Sequence, residues 1–378
     1  TLSYGEIDQL AERIAGYFHN QLKLEAGDRL AVQLPNLLQY PVVVIAAWKL
    51  GLVIVNTNPM YTHRELVHQF NDSGAKAVVV LDQFYDTLQA ALPETGIEHV
   101  VVTRAIDLLP QPKKSLLTAV TKVLGKRPSL PSKGIVGFND MLAAESAYPL
   151  HTPAYDDISA LQYTGGTTGV SKGVMLTQGS LMSNVAQTMA MVSAGGRSVT
   201  HFTTVSPLPL YHIYAWMLNM GLMPATRGHS VLIPDPRNIP MFVGAIKSLK
   251  FEIFCGLNSL FVTLLQDSKF QKLDFSKLQI TLSGGMALMD AVADEWQQAT
   301  GCVVSEGYGM TESSPVISMN PSGFEKIGTA GIPLPGTEIK VVDENGVEQQ
   351  VGGVGELCAR GAQVMKGYWQ REAQTAEV

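Results

Sequence analysis

The stretch Tyr163-Thr-Gly-Gly-Thr-Thr-Gly-Val-Ser-Lys-Gly173 decides the fold class and the chemistry that we expect of this chain. It follows a short apolar segment, residues 158–163, and leads toward a segment with helical periodicity at residues 179–191. Closely spaced glycines let several backbone N–H groups point toward one centre, and Thr and Ser hydroxyls add further donors. Lys172 adds a positive charge. Together these groups predict a loop that binds a polyphosphate.

Two standard phosphate-binding patterns do not fit this stretch. It contains neither G-x-x-x-x-G-K-[ST] nor G-x-G-x-x-G. Residues 169–173 do match G-x-S-x-G, the nucleophile turn of α/β-hydrolases, although that turn requires the strand to run directly into the serine. A hydrolase or thioesterase that uses Ser171 is therefore an alternative. An ordinary flexible glycine-rich loop would leave the hydroxyls and the lysine unexplained.

Outside this loop, strands alternate with helices. Short β-branched runs predict strands at residues 29–34, 52–55, 77–81, 100–103, 158–163, 230–233 and 278–283. Helical periodicity predicts helices at 6–22, 41–50, 62–73, 179–191 and 241–249. This alternation indicates an α/β fold of βαβ units with mostly parallel sheets. After residue 328 short strands flank an Asn345-Gly346 turn, which predicts a small antiparallel or β-barrel-like part. We expect subdomains at roughly 1–190, 191–328 and 329–378.

Composition excludes several classes of protein. Of 378 residues, 46% are hydrophobic, which rules out global disorder. The 27 basic and 33 acidic side chains give a net charge of −6, so we expect no nucleic-acid partner. Three scattered cysteines predict neither a disulfide framework nor a Cys-rich metal site, and they favour a reducing, cytoplasmic location. The longest apolar stretch, residues 41–55, is too short to span a bilayer.

One segment departs from the acidic balance of the chain. Residues 104–133 hold seven basic side chains and one acidic side chain, Asp107. Within it, leucines and valines form one stripe of a predicted amphipathic basic helix at 113–127. One interpretation is a surface insertion that docks on the domain through its leucines. The other is peripheral contact with anionic lipid headgroups.

Further motifs accompany the loop in a fixed order. They are Pro207-Leu-Pro-Leu-Tyr-His212, Ser283-Gly-Gly285, Glu306-Gly-Tyr-Gly-Met-Thr-Glu312, Gly355-Glu-Leu and Gly367-Tyr-Trp369. With the glycine-threonine loop, this set resembles the adenylate-forming, or AMP-binding, superfamily of acyl-CoA synthetases. The resemblance covers essentially the whole chain and is strongest to bacterial long-chain fatty acid–CoA ligases.

The resemblance implies roles for individual residues. The implied catalytic residues are Lys172, Thr311, Glu312 and His212. The implied ATP- or AMP-binding residues are Thr164, Gly165, Gly166, Thr167, Thr168, Gly169, Gly284, Gly285, Glu306, Gly307, Tyr308 and Thr311. The implied Mg²⁺ ligands are Glu312 and Thr168, and the implied substrate-binding residues are His212, Trp216 and Gly309. Trp216 could equally be an ordinary core tryptophan.

The resemblance also implies a reaction. A fatty acid and ATP would give an acyl-adenylate and pyrophosphate, after which the thiol of coenzyme A would displace AMP. An aryl-CoA ligase, a peptide-synthetase adenylation domain and a non-catalytic nucleotide-binding protein are the alternatives, and a homodimer is left open. Members of the superfamily continue past Gly-Tyr-Trp to a ribose-binding aspartate, a hinge and a small domain with a catalytic lysine. We therefore expect residues 1–378 to be a large N-terminal AMP-binding domain whose isolated activity is impaired.

Overall fold

A computed structural model describes residues 1–123, 130–131, 133–164, 170–196 and 200–378, except for the side chains of residues 121–123 and 195. The chain divides into two compact units. Unit 1 comprises Thr1–Gln178, Pro209–His212 and Gly367–Val378, and unit 2 comprises Gly179–Leu208 and Ile213–Lys366. These limits differ from the expected limits near residues 190 and 328, because each unit includes segments that are distant in sequence.

The secondary structure alternates along much of the chain. The strands are β1 (Arg29–Gln33), β2 (Val53–Asn56), β3 (Ala77–Leu81), β4 (His99–Thr103), β5 (Val136–Gly137), β6 (Ile158–Thr164), β7 (Lys172–Thr177), β8 (Thr203–Ser206), β9 (His229–Leu232), β10 (Ile253–Gly256), β11 (Ile280–Ser283), β12 (Val304–Gly309), β13 (Val316–Met319), β14 (Ile332–Pro333), β15 (Glu338–Val342), β16 (Glu356–Arg360) and β17 (Gly367–Tyr368). The helices are α1 (Tyr4–Asn20), α2 (Gln39–Leu50), α3 (His63–Ser73), α4 (Tyr85–Ala91), α5 (Lys113–Val123), α6 (Phe138–Leu142), α7 (Gln178–Val192), α8 (Ile213–Trp216), α9 (Met223–Ala225), α10 (Ile239–Ile246), α11 (Asn258–Leu265), α12 (Asp290–Thr300) and α13 (Glu372–Thr375). A π-helix, Met217–Leu222, joins α8 to α9.

Unit 1 is built on an eight-stranded sheet with the order β17-β7-β6-β2-β1-β3-β4-β5. The strands from β6 to β5 in this order pair in parallel, whereas β7 pairs antiparallel with both β6 and β17. Every residue of β3 is buried, as expected for a parallel strand covered on both faces. The prediction of βαβ units around a mostly parallel sheet is confirmed for this unit.

Sequence signals at the helix ends explain where two helices of unit 1 begin. Ser3 and Glu6 form a reciprocal capping box at the start of α1, and Thr62 and Glu65 form another at the start of α3. The helix α2 ends at Gly51, whose φ of 78° is easily reached by glycine. These local signals fix the lengths of the helices that cover the sheet.

Unit 2 is built on a seven-stranded sheet with the order β14-β13-β12-β11-β10-β8-β9. The strands β9, β8, β10, β11 and β12 are parallel, and β13 and β14 add an antiparallel edge. The strands β15 and β16 form a separate two-stranded antiparallel sheet. The short strands expected after residue 328 are therefore antiparallel and, in the part described, form no closed barrel.

An aromatic cluster forms the core of unit 2 around Trp296 of α12. The centroid of its ring lies 5.0 Å from that of Phe254, 4.6 Å from that of Phe261 and 5.6 Å from that of Phe270. Trp296 is fully buried, and its indole N–H donates to the hydroxyl of Thr281 on β11 at 3.0 Å. Packing and this hydrogen bond together hold α12 on the sheet.

No helix among the described residues is both long enough and apolar enough to cross a membrane.

Truncating the Trp296 side chain should destabilise unit 2 strongly. Trp296→Ala leaves a large cavity and removes the indole N–H that donates to the Thr281 hydroxyl, so we expect the free energy of unfolding to fall by about 3–5 kcal/mol. Urea denaturation followed by circular dichroism measures this loss. Phe324→Ala, at a side chain that is 67% exposed, is the control and should change the value by less than about 0.5 kcal/mol. Equal stabilities of the two variants would contradict the role of Trp296.

Candidate active site

The expected site residues fall into three groups in the structure. Unit 1 holds Thr164, Lys172 and His212. Unit 2 holds Trp216, Gly284, Gly285, Glu306, Gly307, Tyr308, Gly309, Thr311 and Glu312. Gly165, Gly166, Thr167, Thr168 and Gly169 lie outside the residues that the structure describes.

The glycine-threonine loop connects two paired strands of unit 1. Thr164 is the last residue of β6, Lys172 is the first residue of β7, and the two residues are directly opposite each other in the antiparallel register. The loop therefore leads into a strand, and α7 starts only at Gln178. The nucleophile turn of a hydrolase connects a strand to a helix. Since Ser171 precedes a strand instead, the alternative of a Ser171 nucleophile on such a turn is wrong.

The ammonium group of Lys172 lies over an aromatic ring. Its Nζ is 4.2 Å from the centroid of the Tyr368 ring. Tyr368 belongs to β17, which pairs with β7 and so brings a residue from the far end of the sequence to the base of the loop. The negative face of the ring attracts the cation. A lysine held in this way offers a positive charge directly beside the end of the loop.

Two side chains of α3 hold the base of the loop. The carboxylate of Asp72 accepts hydrogen bonds from the Tyr163 hydroxyl at 2.7 Å and from Arg371 Nη2 at 2.5 Å. Burial and the Asp72 carboxylate raise the pKa of the Tyr163 hydroxyl, which therefore stays protonated and donates. His68 Nε2 lies 2.8 Å from the Ser171 carbonyl oxygen, and this contact requires the ring nitrogen to donate.

His212 ends the short segment of unit 1 at Pro209–His212. Its N–H donates to the Pro209 carbonyl at 2.9 Å, which closes a turn. His212 reaches solvent, but the protein atoms around its imidazole partly desolvate the ring, which disfavours the charged form and lowers its pKa. The ring is therefore neutral near pH 7, with one nitrogen that donates a hydrogen bond and one that accepts.

Sequence reasoning missed the side chains that hold this segment. The Leu210 N–H donates to Asn36 Oδ1 at 2.9 Å, and Gln162 Nε2 donates to the Tyr211 carbonyl at 2.7 Å. The Tyr40 hydroxyl lies 3.0 Å from the Leu210 carbonyl. A buried glutamine between apolar neighbours, as Gln162 is between Leu161 and Tyr163 in β6, is the sequence signal that could have indicated such a role.

In unit 2 the Ser283-Gly-Gly285 turn lies against the Glu306–Tyr308 segment. The strands β11 and β12 are parallel neighbours with Ser283 opposite Glu306. A Cβ atom added to Gly284 would lie 3.5 Å from the Gly307 carbonyl oxygen, so the two backbones approach closely. The structure thus brings together two motifs that the sequence separates by about twenty residues.

The carboxylate of Glu306 accepts hydrogen bonds from backbone N–H groups. Its Oε1 accepts the N–H of Gly328 at 2.9 Å, and its Oε2 accepts the N–H of Leu288 at 3.4 Å. Its carbonyl oxygen also accepts the N–H of Asn320 at 2.9 Å. These contacts make Glu306 a residue that holds the surrounding loops to β12. The neighbouring Tyr308 presents a side chain that is 41% exposed, which leaves ring surface available for stacking.

Close backbone packing explains Gly309. A Cβ atom at this position would lie 1.9 Å from the Pro315 carbonyl oxygen, a distance that no other residue type can accommodate without a backbone shift. The register between β12 and β13 also shifts between Tyr308 and Gly309. The chain then forms a 3₁₀ turn at Thr311–Ser313, which carries Thr311 and Glu312. Both are partly buried, and the Glu312 carbonyl accepts the N–H of Met365 at 2.7 Å.

Trp216 lies in the apolar interior of unit 2. It is 2% exposed and ends α8, immediately before the π-helix. Inside the π-helix, Asn219 Nδ2 donates to the Ala215 carbonyl at 2.7 Å, and Asn219 Oδ1 accepts from the Ser206 hydroxyl at 2.8 Å. The burial of Trp216 fits a core residue, while π-helical turns frequently occur at functional sites.

The described residues offer few protein ligands for a magnesium ion. Within the described residues, no three His, Cys, Asp or Glu side chains lie together as a metal-binding group. Mg²⁺ in phosphate-binding enzymes is usually held by one or two carboxylates together with substrate phosphates and water. A single carboxylate, Glu312, fits that pattern only when a phosphate-bearing ligand is present.

Comparisons with known proteins give the family. The family model described as AMP-binding enzyme matches residues 1–369. The long-chain-fatty-acid–CoA ligase of Haemophilus influenzae is 41% identical and aligns with 100% of this chain and 68% of its own length. ATP-bound MatB from Rhodopseudomonas palustris is 26% identical with a TM-score of 0.81, over 99% of this chain and 68% of that one. A long-chain-fatty-acid-CoA ligase from Archaeoglobus fulgidus, at 24% identity, shares the fold with a TM-score of 0.83 over 100% of this chain and 71% of that one. The chain therefore belongs to the AMP-binding enzyme family.

Proposed function

We propose that this protein activates a long-chain fatty acid with ATP and transfers the acyl group to coenzyme A. One observation carries the proposal. Two of the ordered motifs begin within one residue of the end of a parallel strand, at β6 and β11, and a third runs through the end of β12. The carboxyl ends of parallel strands are where α/β proteins bind ligands. The 41% identity to a named long-chain-fatty-acid–CoA ligase supports the substrate class.

In the first step, a fatty carboxylate oxygen attacks the α-phosphorus of ATP and pyrophosphate leaves. Two anions must approach each other, so preorganised positive charge and hydrogen-bond donors lower the barrier. Lys172 and the hydroxyls of the loop would hold the β- and γ-phosphates, and Thr311 would donate to the α-phosphate. Tyr308 would stack on the adenine, beside the close backbones of Gly284 and Gly307. Neutral His212 would orient the fatty carboxylate through a ring N–H.

Bound Mg²⁺ would supply charge neutralisation between phosphate oxygens, held by the Glu312 carboxylate together with Thr168. In the second step, the sulfur of coenzyme A attacks the acyl carbonyl carbon of the adenylate. The thioester forms, the thiol proton is released and AMP leaves. An aryl-CoA ligase and a peptide-synthetase adenylation domain use the same first step. The methionines and leucines of the π-helix, Met217–Leu222, favour an aliphatic acid over these alternatives because they offer an adaptable apolar wall.

We further propose a cytoplasmic protein that contacts anionic lipid through α5. In this helix Leu116, Leu117 and Val120 are 66%, 39% and 42% exposed. This exposure favours the lipid interpretation over docking of the helix on the domain through its leucines. Lys114 does help to hold the helix, because its Nζ donates to the Asp107 carbonyl at 2.8 Å and to Asn139 Oδ1 at 2.9 Å. Residues 124–127 of the predicted helix lie outside the described part.

Exposed apolar side chains beside basic ones suit the surface of an acidic membrane. The apolar groups would enter the headgroup region, and the basic groups would attract anionic lipid at about 1 kcal/mol each. Leu116 and Val120 are four residues apart and so lie on one face of the helix. A long-chain acid partitions into membranes, and such contact would place the protein close to its substrate.

Removing the proposed phosphate-binding lysine or the proposed Mg²⁺-binding glutamate should abolish most of the adenylation. In the full-length protein, we expect Lys172→Ala and Glu312→Ala each to reduce fatty-acid-dependent pyrophosphate release by at least about 100-fold, because each removes charge stabilisation of the transition state. A coupled pyrophosphate assay measures the rate. Lys272→Ala and Glu344→Ala, at exposed side chains of the same types, are the matched controls and should keep the wild-type rate. Unchanged release in either test variant would refute its role.

The pH dependence should reflect a neutral His212. Because partial desolvation lowers its pKa, the ring stays neutral at a pH where a fully solvated histidine gains a proton, about 6.5. We therefore expect pyrophosphate release at saturating substrates to lack a His212 protonation step above about pH 6.5. Profiles of the wild type and of His212→Asn separate this step from other titrations. An acid limb with its midpoint at or above about 6.5 that disappears in His212→Asn would contradict the assignment.

Lipid binding should depend on both the charge and the apolar face of α5. We expect sedimentation with vesicles of phosphatidylcholine and phosphatidylglycerol, and a lower affinity at high salt. Replacing Lys113, Lys122 and Lys126 by Gln should lower the affinity at least about tenfold, and Leu116→Asn with Val120→Asn should also weaken it. Leu150→Asn, at an exposed leucine outside α5, serves as the control. Binding that survives the lysine replacements unchanged would end the lipid proposal.

A further inference from the structure

Unit 1 buries a group of polar side chains that the proposed chemistry does not use. Asn36, Tyr40, Asn56 and Gln162 are 3%, 0%, 3% and 4% exposed. They come from four separate places: the turn before α2, α2 itself, the end of β2 and the end of β6. Burying a polar group is costly unless it is hydrogen-bonded, so a cluster of four indicates a defined structural task.

These side chains converge on the backbone of Pro209–His212. Asn36 accepts the Leu210 N–H at 2.9 Å, and Gln162 donates to the Tyr211 carbonyl at 2.7 Å. The Tyr40 hydroxyl contacts both the Leu210 carbonyl and Asn56 Oδ1, and its single proton serves one of these acceptors at a time. Backbone groups of two consecutive residues are thus held by side chains.

Asn56 fixes the orientation of the Gln162 amide. Asn56 Nδ2 donates to Gln162 Oε1 at 2.9 Å, which leaves Gln162 Nε2 facing the Tyr211 carbonyl. A flipped Gln162 amide would place two oxygens against each other and two N–H groups against each other. Gln69 of α3 in turn donates to the Asn56 carbonyl at 3.0 Å. The position and the direction of the amide are therefore both specified.

The contact to Tyr211 bears directly on His212. The carbonyl of Tyr211 and the N–H of His212 belong to one planar peptide group. Gln162 holds this group at its oxygen, and the bond from the His212 N–H to the Pro209 carbonyl holds it at its nitrogen. With the plane fixed at both ends, the position of the His212 Cα atom and the direction of the N–Cα bond that carries it are fixed as well.

We propose that Gln162, oriented by Asn56, is a positioning residue that aims His212 at the substrate carboxylate. This inference rests on the role of His212 in the proposed function. Loss of the Gln162 N–H frees the peptide plane and leaves the Tyr211 carbonyl buried without its donor. The imidazole of His212 is then poorly placed, and kcat/KM for the fatty acid falls while the ATP site is unchanged.

The test combines a kinetic split with a double-mutant cycle in the full-length protein. Gln162→Met keeps the length of the side chain and removes its N–H donor. We expect kcat/KM for the fatty acid to fall at least about fivefold while KM for ATP changes less than about twofold. In the His212→Asn background the same change should cause no further loss. Gln33→Met removes a buried glutamine at the end of the neighbouring β1 and should leave KM for the acid unchanged.

Tyr40→Phe keeps the inference testable if Gln162→Met does not fold, because it removes a single hydroxyl from the same group and should lower the same kinetic parameter. A folded Gln162→Met with wild-type kcat/KM for the acid would overturn the inference. So would losses from Gln162→Met and His212→Asn that multiply in the double variant. Wild-type adenylation by His212→Asn would overturn the role of His212 and the inference with it. Failure of every acid to support pyrophosphate release in the wild type would instead refute the proposed function.

Discussion

Parallel strands in one sheet all run in the same direction, so their carboxyl ends lie together at one end of the sheet. This constraint governs both units. In unit 1, β1, β2 and β6 end at Gln33, Asn56 and Thr164, and the glycine-threonine loop begins directly after Thr164. In unit 2, β11 ends at Ser283 and β12 ends at Gly309, so the Ser283-Gly-Gly285 turn and the Tyr308 segment are neighbours. Residues far apart in sequence become neighbours because the pairing of parallel strands aligns their carboxyl ends.

The carboxyl ends of the strands create a second requirement, since polar side chains that are buried there need hydrogen-bond partners. Asn56 and Gln162 follow apolar strand residues; Asn56 donates to Gln162, and Gln162 donates to the backbone of Pro209–His212. Glu306 plays a comparable part in unit 2, where its carboxylate accepts backbone N–H groups from two loops. In both units, polar residues near the carboxyl ends of the strands hold the backbone of neighbouring loops.

Periodicity predicted the elements that depend on local sequence. The strand β3 matches its prediction at residues 77–81, and α3 starts within one residue of its prediction because Thr62 and Glu65 form a capping box. The strand β7 was missed because Lys172–Thr177 follows a glycine-rich loop and was read as part of the path to a helix. The pairing of β17 with β7 and the contact of Lys172 with Tyr368 join residues nearly two hundred positions apart. Such contacts depend on topology and leave no signal in a sequence window.

The order of the motifs indicated the family, but it did not predict which side chains hold the Pro209–His212 segment. Thr164 and Lys172 lie opposite each other, and the Gly284 and Gly307 backbones are neighbours, while the roles that the resemblance implies for these residues stay predictions. The side chains that hold this segment come from four places in the sequence, so only the fold shows that they are grouped.

The most direct measurement is ATP-dependent pyrophosphate release by the full-length protein with straight-chain acids of increasing length, and with aromatic and amino acids. Release that rises with chain length and is greatest for long-chain acids is the predicted result; equal or faster release with aromatic or amino acids would contradict it.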